Sequence, residues 1–338
     1  MNAAATDCAT TRVPQPSLTQ LDPARQRPTL AIVGAGRCGT ALATAAHRAG
    51  YRITAVHSRT PANARRLAGM VGASCQPTAQ AAVRSADITF LTVPDAAITR
   101  VAATVAAASV GLRGKALVHC SGSSGRSVLG SVRQVAARVG AVHPLQALSD
   151  ADSSGALEGT FFAVDADEAL APVLEAMVRD IGGIAFTAPS GDRALYHAAA
   201  VLAGNAPLAL LATASSLLER SGVDEAIAGE ALAVLLEGAA RNARRLGAKA
   251  AMTGPVVRND ASTVARHLEA LRGDQATQRL YQRMAMETLR TVGVVGREDV
   301  AAVLTAPSSR AVAPASQRRR ARDSAAAPVS LGSRLSAA

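Results

Sequence analysis

A chain of 338 residues has room for two domains, and its 49% hydrophobic content is ample for their cores. Aromatic residues make up only 2%, with no tryptophan, so those cores are built from Ala, Val and Leu, and no aromatic platform for nucleic acid is present. Of the net charge of +11, +5 lies in residues 306–338, which hold six Arg against one Asp, and most of the rest is spread over the body, so the end reads as a solvated basic tail rather than a binding face for nucleic acid.

The four cysteines (Cys8, Cys38, Cys75 and Cys120) lie far apart and form no C-x-x-C. That spacing suggests neither a metal site nor a disulfide framework, and fits the reducing cytoplasm. Residues 1–27 are rich in Thr, Pro, Gln and Ala, have no periodicity and contain no apolar secretory core, so they are expected to be a disordered leader.

From Thr29 a β–α alternation begins. The apolar run Leu30–Val33 ends in Gly34-Ala-Gly36-Arg37-Cys38-Gly39, and an Ala-rich helical pattern follows at once. Strand, glycine turn and helix in that order match a dinucleotide-binding fingerprint. Gly34 makes the sharp turn, Gly36 lacks the Cβ that would block a pyrophosphate, and Gly39 lets helix and strand pack closely. The helix N-terminus supplies free N–H groups for the phosphates.

The next strand, Arg52–His57, ends in Ser58-Arg59. An NAD site usually has an acid here to hold the ribose 2′-OH; a hydroxyl and a guanidinium point instead to the 2′-phosphate of NADP(H). Strands are then predicted at 87–93, 115–119, 140–143, 160–164 and 183–186, with helices at 62–70, 78–84, 96–108, 127–137 and 167–181. Repeated β–α units imply a parallel-rich sheet with helices on both faces. Val93-Pro94 and the hydroxyl-rich His119-Cys-Ser121-Gly-Ser-Ser-Gly125 fall at carboxyl ends of strands, where ligands bind. Asp95 is expected to cap the helix beginning at Ala96. His143, ending another strand, is either a satisfied edge histidine or a polar wall of a cleft.

After Pro189 strand signals stop. A long helical pattern runs from Asp192 to Arg220 and has no charge from Ala198 to Leu218. Its length would span a bilayer, but Gly204, Asn205, Pro207 and three hydroxyl residues favour a buried helix. His197 and Asn205 differ by about 80° around such a helix and lie about 12 Å apart along it, so they can line one broad face of a cleft. Pro207 frees the carbonyl of Ala203 and would kink the helix. Further helices are predicted at 224–246, 260–272, 275–291 and 297–304. Between them Thr253-Gly-Pro-Val-Val-Arg258-Asn259-Asp260 offers Arg258 as a cation for an anionic substrate, with Asp260 expected to cap the next helix.

Taken together, the Gly34–Gly39 turn, Val93-Pro-Asp95, His119-Cys-Ser-Gly122, His143-Pro-Leu-Gln146, Tyr196-His197…Asn205 and Thr253-Gly-Pro…Arg258…Asp260 resemble a bacterial family that joins a Rossmann-like domain to a domain of unknown function, DUF2520. The resemblance covers residues 29–305. It implies a fold similar to the 6-phosphogluconate dehydrogenase-like reductases: an α/β Rossmann-like domain with a parallel-rich sheet, then an all-α C-terminal domain. The domains are expected at 28–188 and 189–305, with the basic tail at 306–338. Some members of the family are alternative ketopantoate reductases of pantothenate synthesis, which use NADPH. Two departures stand out. Arg258-Asn259-Asp260 replaces the family's Arg-Gly-Asp, and His197 and Val201 stand where related hydroxy-acid dehydrogenases have Lys and Asn.

The leading expectation is therefore an NADPH-dependent reductase of a small anionic 2-oxo acid. His197 would donate the proton, Asn205 orient the carbonyl and Arg258 hold the carboxylate. Gly34, Gly36, Arg37, Cys38, Gly39, Ser58, Arg59, Val93, Pro94 and Ser121 would bind NADP(H), with no metal. Alternatives are an imine reductase and a non-catalytic NADP(H) sensor. A homodimer paired through the helical domain is expected, with neither a membrane nor nucleic acid as partner.

Overall fold

A computed structural model describes residues 27–108, 111–135, 137–149, 155–188 and 191–306. The leader and the Arg-rich tail expected from the sequence fall outside these residues, apart from Arg27 and Ala306.

The β–α alternation is present throughout the first part. It runs β1 (Leu30–Val33), α1 (Arg37–Arg48), β2 (Ile53–His57), α2 (Pro61–Val71), β3 (Ser74–Cys75), α3 (Ala79–Arg84), β4 (Ile88–Leu91), α4 (Asp95–Ala107) and β5 (Ala116–His119). A 3-10 turn (Arg126–Leu129), α5 (Gly130–Gln134), β6 (Arg138–Pro144), β7 (Phe161–Ala166), α6 (Ala171–Asp180) and β8 (Ile184–Thr187) follow. The eight strands form one sheet in the order β3-β2-β1-β4-β5-β6-β7-β8, and every pair is parallel except β6–β7.

The central strands β1, β4 and β5 are buried along their whole length, as strands covered on both faces must be. Their side chains alternate between two apolar layers. Leu30, Ile32, Phe90 and Val118 pack with Leu42 of α1, Leu67 of α2 and Leu174 of α6. Ala31, Val33, Leu91 and Leu117 pack on the opposite face with Val83 of α3 and Ile98 and Val105 of α4. The predicted helix at 127–137 is shorter, because β6 begins at Arg138 and takes up residues beyond the expected 140–143. The two-residue edge strand β3 was not anticipated; nothing so short carries a period.

Beyond β8 the described chain is helical: α7 (Arg193–Gly204), α8 (Ala206–Arg220), α9 (Glu225–Leu246), α10 (Ala248–Ala251), α11 (Ala261–Ala270), α12 (Gln275–Val292) and α13 (Glu298–Thr305). Packing divides the protein into two compact units, one ending at Ala212 and one starting at Thr213, so α7 and the first part of α8 belong with the sheet. The second unit has its own core of Val256, Val264, Ala285, Leu289, Val300 and Leu304. Asp224, Asp260 and Asp274 cap α9, α11 and α12 by accepting backbone N–H bonds, satisfying donors that the helix cannot.

One expectation is overturned here. Arg193–Arg220 is apolar and long enough to cross a membrane, but it is not a buried helix: no residue of α7 or α8 is buried. Among its apolar side chains Leu195, Leu202 and Leu208 are more than half exposed. The helical ladder breaks at Asn205, two residues before Pro207, where the missing N–H and the ring disfavour continuation.

Candidate active site

The glycine turn has the form its sequence requires. Gly34 has φ +113°, a region open to glycine, and a Cβ there would lie 2.5 Å from the carbonyl oxygen of Thr92. Gly39 sits against the Gly34 carbonyl, leaving no space for a side chain. The Thr92 hydroxyl, just beyond β4, donates to the Gly34 carbonyl at 2.6 Å and locks the turn to the neighbouring strand. At Gly36, by contrast, a Cβ would meet nothing within 4 Å. The turn is closed by backbone packing on one side and open at the residue where a pyrophosphate has to approach. Arg37, Cys38 and Gly39 form the first turn of α1, whose N–H groups face that opening.

Ser58 and Arg59 follow β2, Val93 and Pro94 follow β4, and Ser121 follows β5. These strands and β1 are neighbours in the order β2-β1-β4-β5, all parallel, so the predicted cofactor residues gather along one edge of the sheet. Arg59 is exposed at the end of β2. The donor set fits NADP(H): an open glycine turn, a helix N-terminus, and a hydroxyl with a guanidinium where an NAD site carries an acid.

The Ser121–Gly125 loop is held by an unforeseen residue. His119 is fully buried; its Nδ1 accepts the Ser121 N–H at 3.2 Å and its Nε2 lies 3.1 Å from the Gly125 carbonyl oxygen. Accepting at Nδ1 leaves the proton on Nε2, which donates to Gly125. Burial holds the His119 pKa below its ordinary value, so this neutral tautomer persists at neutral pH. Ser121 is itself buried, its hydroxyl 3.2 Å from that of Ser123 and accepting the Ser124 N–H.

Asp95 is not a cap. The helix α4 starts one residue earlier than expected, with Pro94 at the N-cap and Asp95 in the first turn. Pro94 already holds a compatible φ, and the Asp95 carboxylate is engaged elsewhere, accepting from the Ser123 hydroxyl at 2.7 Å. It ties α4 to the β5 loop.

Against this loop α7 brings two aromatic residues. His143, at the carboxyl end of β6, has Nδ1 2.9 Å from the Tyr196 hydroxyl, with the rings edge to face at 5.6 Å. The His197 ring stands 6.0 Å from that of His143, at 74°. Gly122 sits between the two imidazoles: a Cβ on it would lie 2.7 Å from His143 Nε2 and 2.7 Å from His197 Cδ2. Arg193, one turn before His197, stacks over the Tyr196 ring at 5.1 Å and donates through Nη2 to the Ser124 carbonyl at 3.1 Å. Its Nε and Nη1 are buried without a hydrogen-bond partner. Burial pushes His143 down to about 4, helped by the positive character of His197 and Arg193, so His143 is a neutral imidazole near pH 7.

Of the residues expected to act on substrate, His197 joins this group. Asn205 is exposed at the end of α7. Arg258 is exposed in the second unit, on the turn closed by the Asp260 N–H to Pro255 carbonyl bond. That turn explains the departure at Asn259: the residue has φ 57°, a left-handed conformation that suits glycine best and asparagine next. Its side chain adds what glycine cannot, donating to Asp299 at 2.9 Å and accepting the Val300 N–H at 3.1 Å.

Comparison with known proteins agrees with the geometry. Residues 29–123 match the family described as NADP oxidoreductase coenzyme F420-dependent, and residues 160–288 match the domain of unknown function DUF2520. A structure of a candidate NADP oxidoreductase from Bacteroides fragilis is similar at 27% identity and TM-score 0.64, over 77% of this chain and 97% of that one. A protein of Thermotoga maritima is similar at 24% identity and TM-score 0.60, over 78% and 98%. A reductive aminase of Aspergillus terreus, solved with NADPH and ethyl-5-oxohexanoate, shares the fold at 20% identity and TM-score 0.58, over 78% and 94%. Among curated proteins none matches. The chain is an NADP(H)-binding oxidoreductase that joins a Rossmann-like domain to a DUF2520 domain.

Proposed function

We propose that the chain reduces the carbonyl of a small anionic 2-oxo acid in the cytoplasm, with 2-dehydropantoate the best single substrate and pantoate the product. The observation that carries this reading is the packing of His197, His143, Tyr196 and Arg193 around Gly122 on the loop after β5. The reduced nicotinamide supplies a hydride. The protein has to supply a proton and an anchor for the carboxylate. His197 is the proton donor: its imidazole faces the same glycine as His143, whereas His143 is held neutral with its Nδ1 engaged by Tyr196 and cannot fill that role. His143 and Tyr196 fix the wall against which His197 stands.

Arg193 is the guanidinium beside the histidines, and its two unpartnered N–H-bearing atoms suit a carboxylate. Arg258 is the other candidate anchor and Asn205 the candidate for orienting the carbonyl. Substitution separates them, since the residue that holds the carboxylate raises KM steeply when changed to Ala. The direct test follows loss of NADPH absorbance with purified protein and 2-dehydropantoate. Turnover is expected, and His197→Ala should lower kcat by about 10²-fold or more. A full rate in that variant removes His197 as the acid.

Similarity to the reductive aminase favours a second reading, reduction of an imine, including pyrroline-carboxylate-type substrates. A panel of cyclic and acyclic imines beside 2-oxo acids decides between the two. NADPH binding without turnover on either panel would leave the sensor reading. We propose further that two copies pair through the uncovered faces of α8 and α9.

A further inference from the structure

The two imidazoles beside Gly122 are not alike. His197 meets the glycine with Cδ2, the carbon bonded to its Nε2, and His143 meets it with the Cε1–Nε2 edge; a Cβ on Gly122 would lie 2.7 Å from each of these three atoms. The Nε2 atoms of both rings therefore flank one point on the loop after β5. Their surroundings differ. The His143 Nδ1 lies 2.9 Å from the Tyr196 hydroxyl, while its Nε2 has no hydrogen-bond partner among the described residues and remains open to solvent.

The contact between His143 and Tyr196 has a direction. A neutral imidazole carries one proton, on Nδ1 or on Nε2. Burial raises the Tyr196 pKa, so the phenol keeps its hydrogen and has one to give. Among the described residues the hydrogen-bond partner of its hydroxyl is the His143 Nδ1. A phenol donates better than an imidazole N–H, and an imidazole nitrogen accepts better than a phenol oxygen, so the bond is O–H to N. The Arg193 guanidinium over the Tyr196 ring, at 5.1 Å, draws charge from the phenol and strengthens it as a donor. With Nδ1 accepting, the proton of His143 sits on Nε2, beside Gly122.

We propose that Tyr196 locks His143 as the Nε2–H tautomer, and that this N–H donates a hydrogen bond to the same substrate oxygen that His197 protonates. The identity of the acceptor rests on the proposed reductase reading, while the tautomer does not depend on it. Reduction of a carbonyl builds negative charge on its oxygen, and a donor already in place stabilises that charge without moving. A neutral imidazole suits this task. Its N–H polarises the oxygen but stays where it is, since losing it would leave an imidazolate, whereas the His197 proton passes to the oxygen. His143 stays neutral because it is half-buried and because His197, Arg193 and His119 oppose a positive charge on it, against the pull of Asp95.

The tautomer is read on the full chain without ligand, by long-range proton–nitrogen NMR at neutral pH with labelled histidine, the His143 signals being identified by their loss in His143→Gln. Expected are a bare Nδ1 and a protonated Nε2, with a measurable share of Nδ1–H appearing in Tyr196→Phe. A protonated Nδ1 in the native chain, or a tautomer that Tyr196→Phe leaves unchanged, overturns the lock. Turnover of 2-oxo acids tests the donor. His143→Phe should lower kcat by about 10²-fold or more, the usual cost of losing an oxyanion donor, and His143→Gln, whose amide keeps an N–H, should recover about tenfold of that loss. Tyr196→Phe should lower kcat with little change in KM. NADPH affinity, read from nicotinamide fluorescence, should hold in all three variants. A His143→Phe enzyme at full rate, or a Gln variant no better than the Phe variant, overturns the donor role. Turnover with the opposite tautomer removes this assignment and leaves the proposed function standing. The expected tautomer without turnover on either panel removes the proposed function and, with it, the substrate oxygen as acceptor.

Discussion

At the scale of single residues the site turns on Gly122, which needs to be small because a Cβ there would lie 2.7 Å from each of two imidazoles, His143 of β6 and His197 of α7. Gly122→Ala should force the rings apart and lower turnover by about 10²-fold, a cost in keeping with a reacting group displaced by an ångström. NADPH affinity, measured by nicotinamide fluorescence, should change far less. The depressed His143 also gives an acid signature. Its folded pKa of about 4 lies below the ordinary 6.5, so the unfolded chain takes up that proton first. Stability should fall as pH drops from about 6.5 to about 4 and level off with respect to this group below that. Denaturant unfolding at a series of pH values checks it, and His143→Gln should flatten the slope. The glycines of the cofactor turn were legible because they fall at a fixed short spacing after an apolar run: a Cβ on Gly34 or Gly39 would meet backbone, while Gly36 is left open. The His143–Tyr196 contact was not, since it joins positions 53 apart and no period or spacing encodes it. Asp95 misled for a related reason: a carboxylate at a helix start reads as a cap unless the partner hydroxyl, Ser123, is known to be near.

At the scale of elements, alternation carried most of the information. In β1 the even-numbered side chains face one helical layer and the odd-numbered the other, so a wholly apolar strand was the right signature of a doubly covered sheet. Three helices of the second unit, α9, α11 and α12, were equally plain, each with an Asp at its start. What the pattern could not supply was cover. The same apolar periodicity describes a buried helix and one left uncovered, and no residue of α7 or α8 is buried. The Gly254–Asp260 turn offers a cleaner test of an element. Asn259→Gly keeps the left-handed backbone but loses the bonds to Asp299 and Val300, whereas Asn259→Ala loses both the bonds and the favourable conformation. The Ala variant should be less stable than the Gly variant by about 1–2 kcal/mol in equilibrium unfolding.

At the scale of the whole molecule the uncovered apolar surface asks for a partner. Leu208 of α8 and Ile227, Val234 and Leu235 of α9 are each more than half exposed. A second copy of this chain is the proposed occupant. Sedimentation equilibrium should give a dimer mass, and Ile227→Asp with Leu235→Asp should give a monomer. Retention of the dimer mass in that double variant would place the contact elsewhere. A different consequence follows from the bond between Thr92 and Gly34. The glycine turn takes its shape from a residue 58 positions away, so it exists only after β4 has come to rest beside β1. The cofactor therefore has nothing to grip on a chain still searching for that pairing, and it acts on the finished sheet alone. NADPH should accordingly lengthen the lifetime of the folded state, by mass action on the native form, while leaving the refolding rate where it was. Stopped-flow unfolding and refolding with and without saturating NADPH would separate the two limbs, and in this protein the cofactor would serve as a brake on unfolding rather than a template for folding.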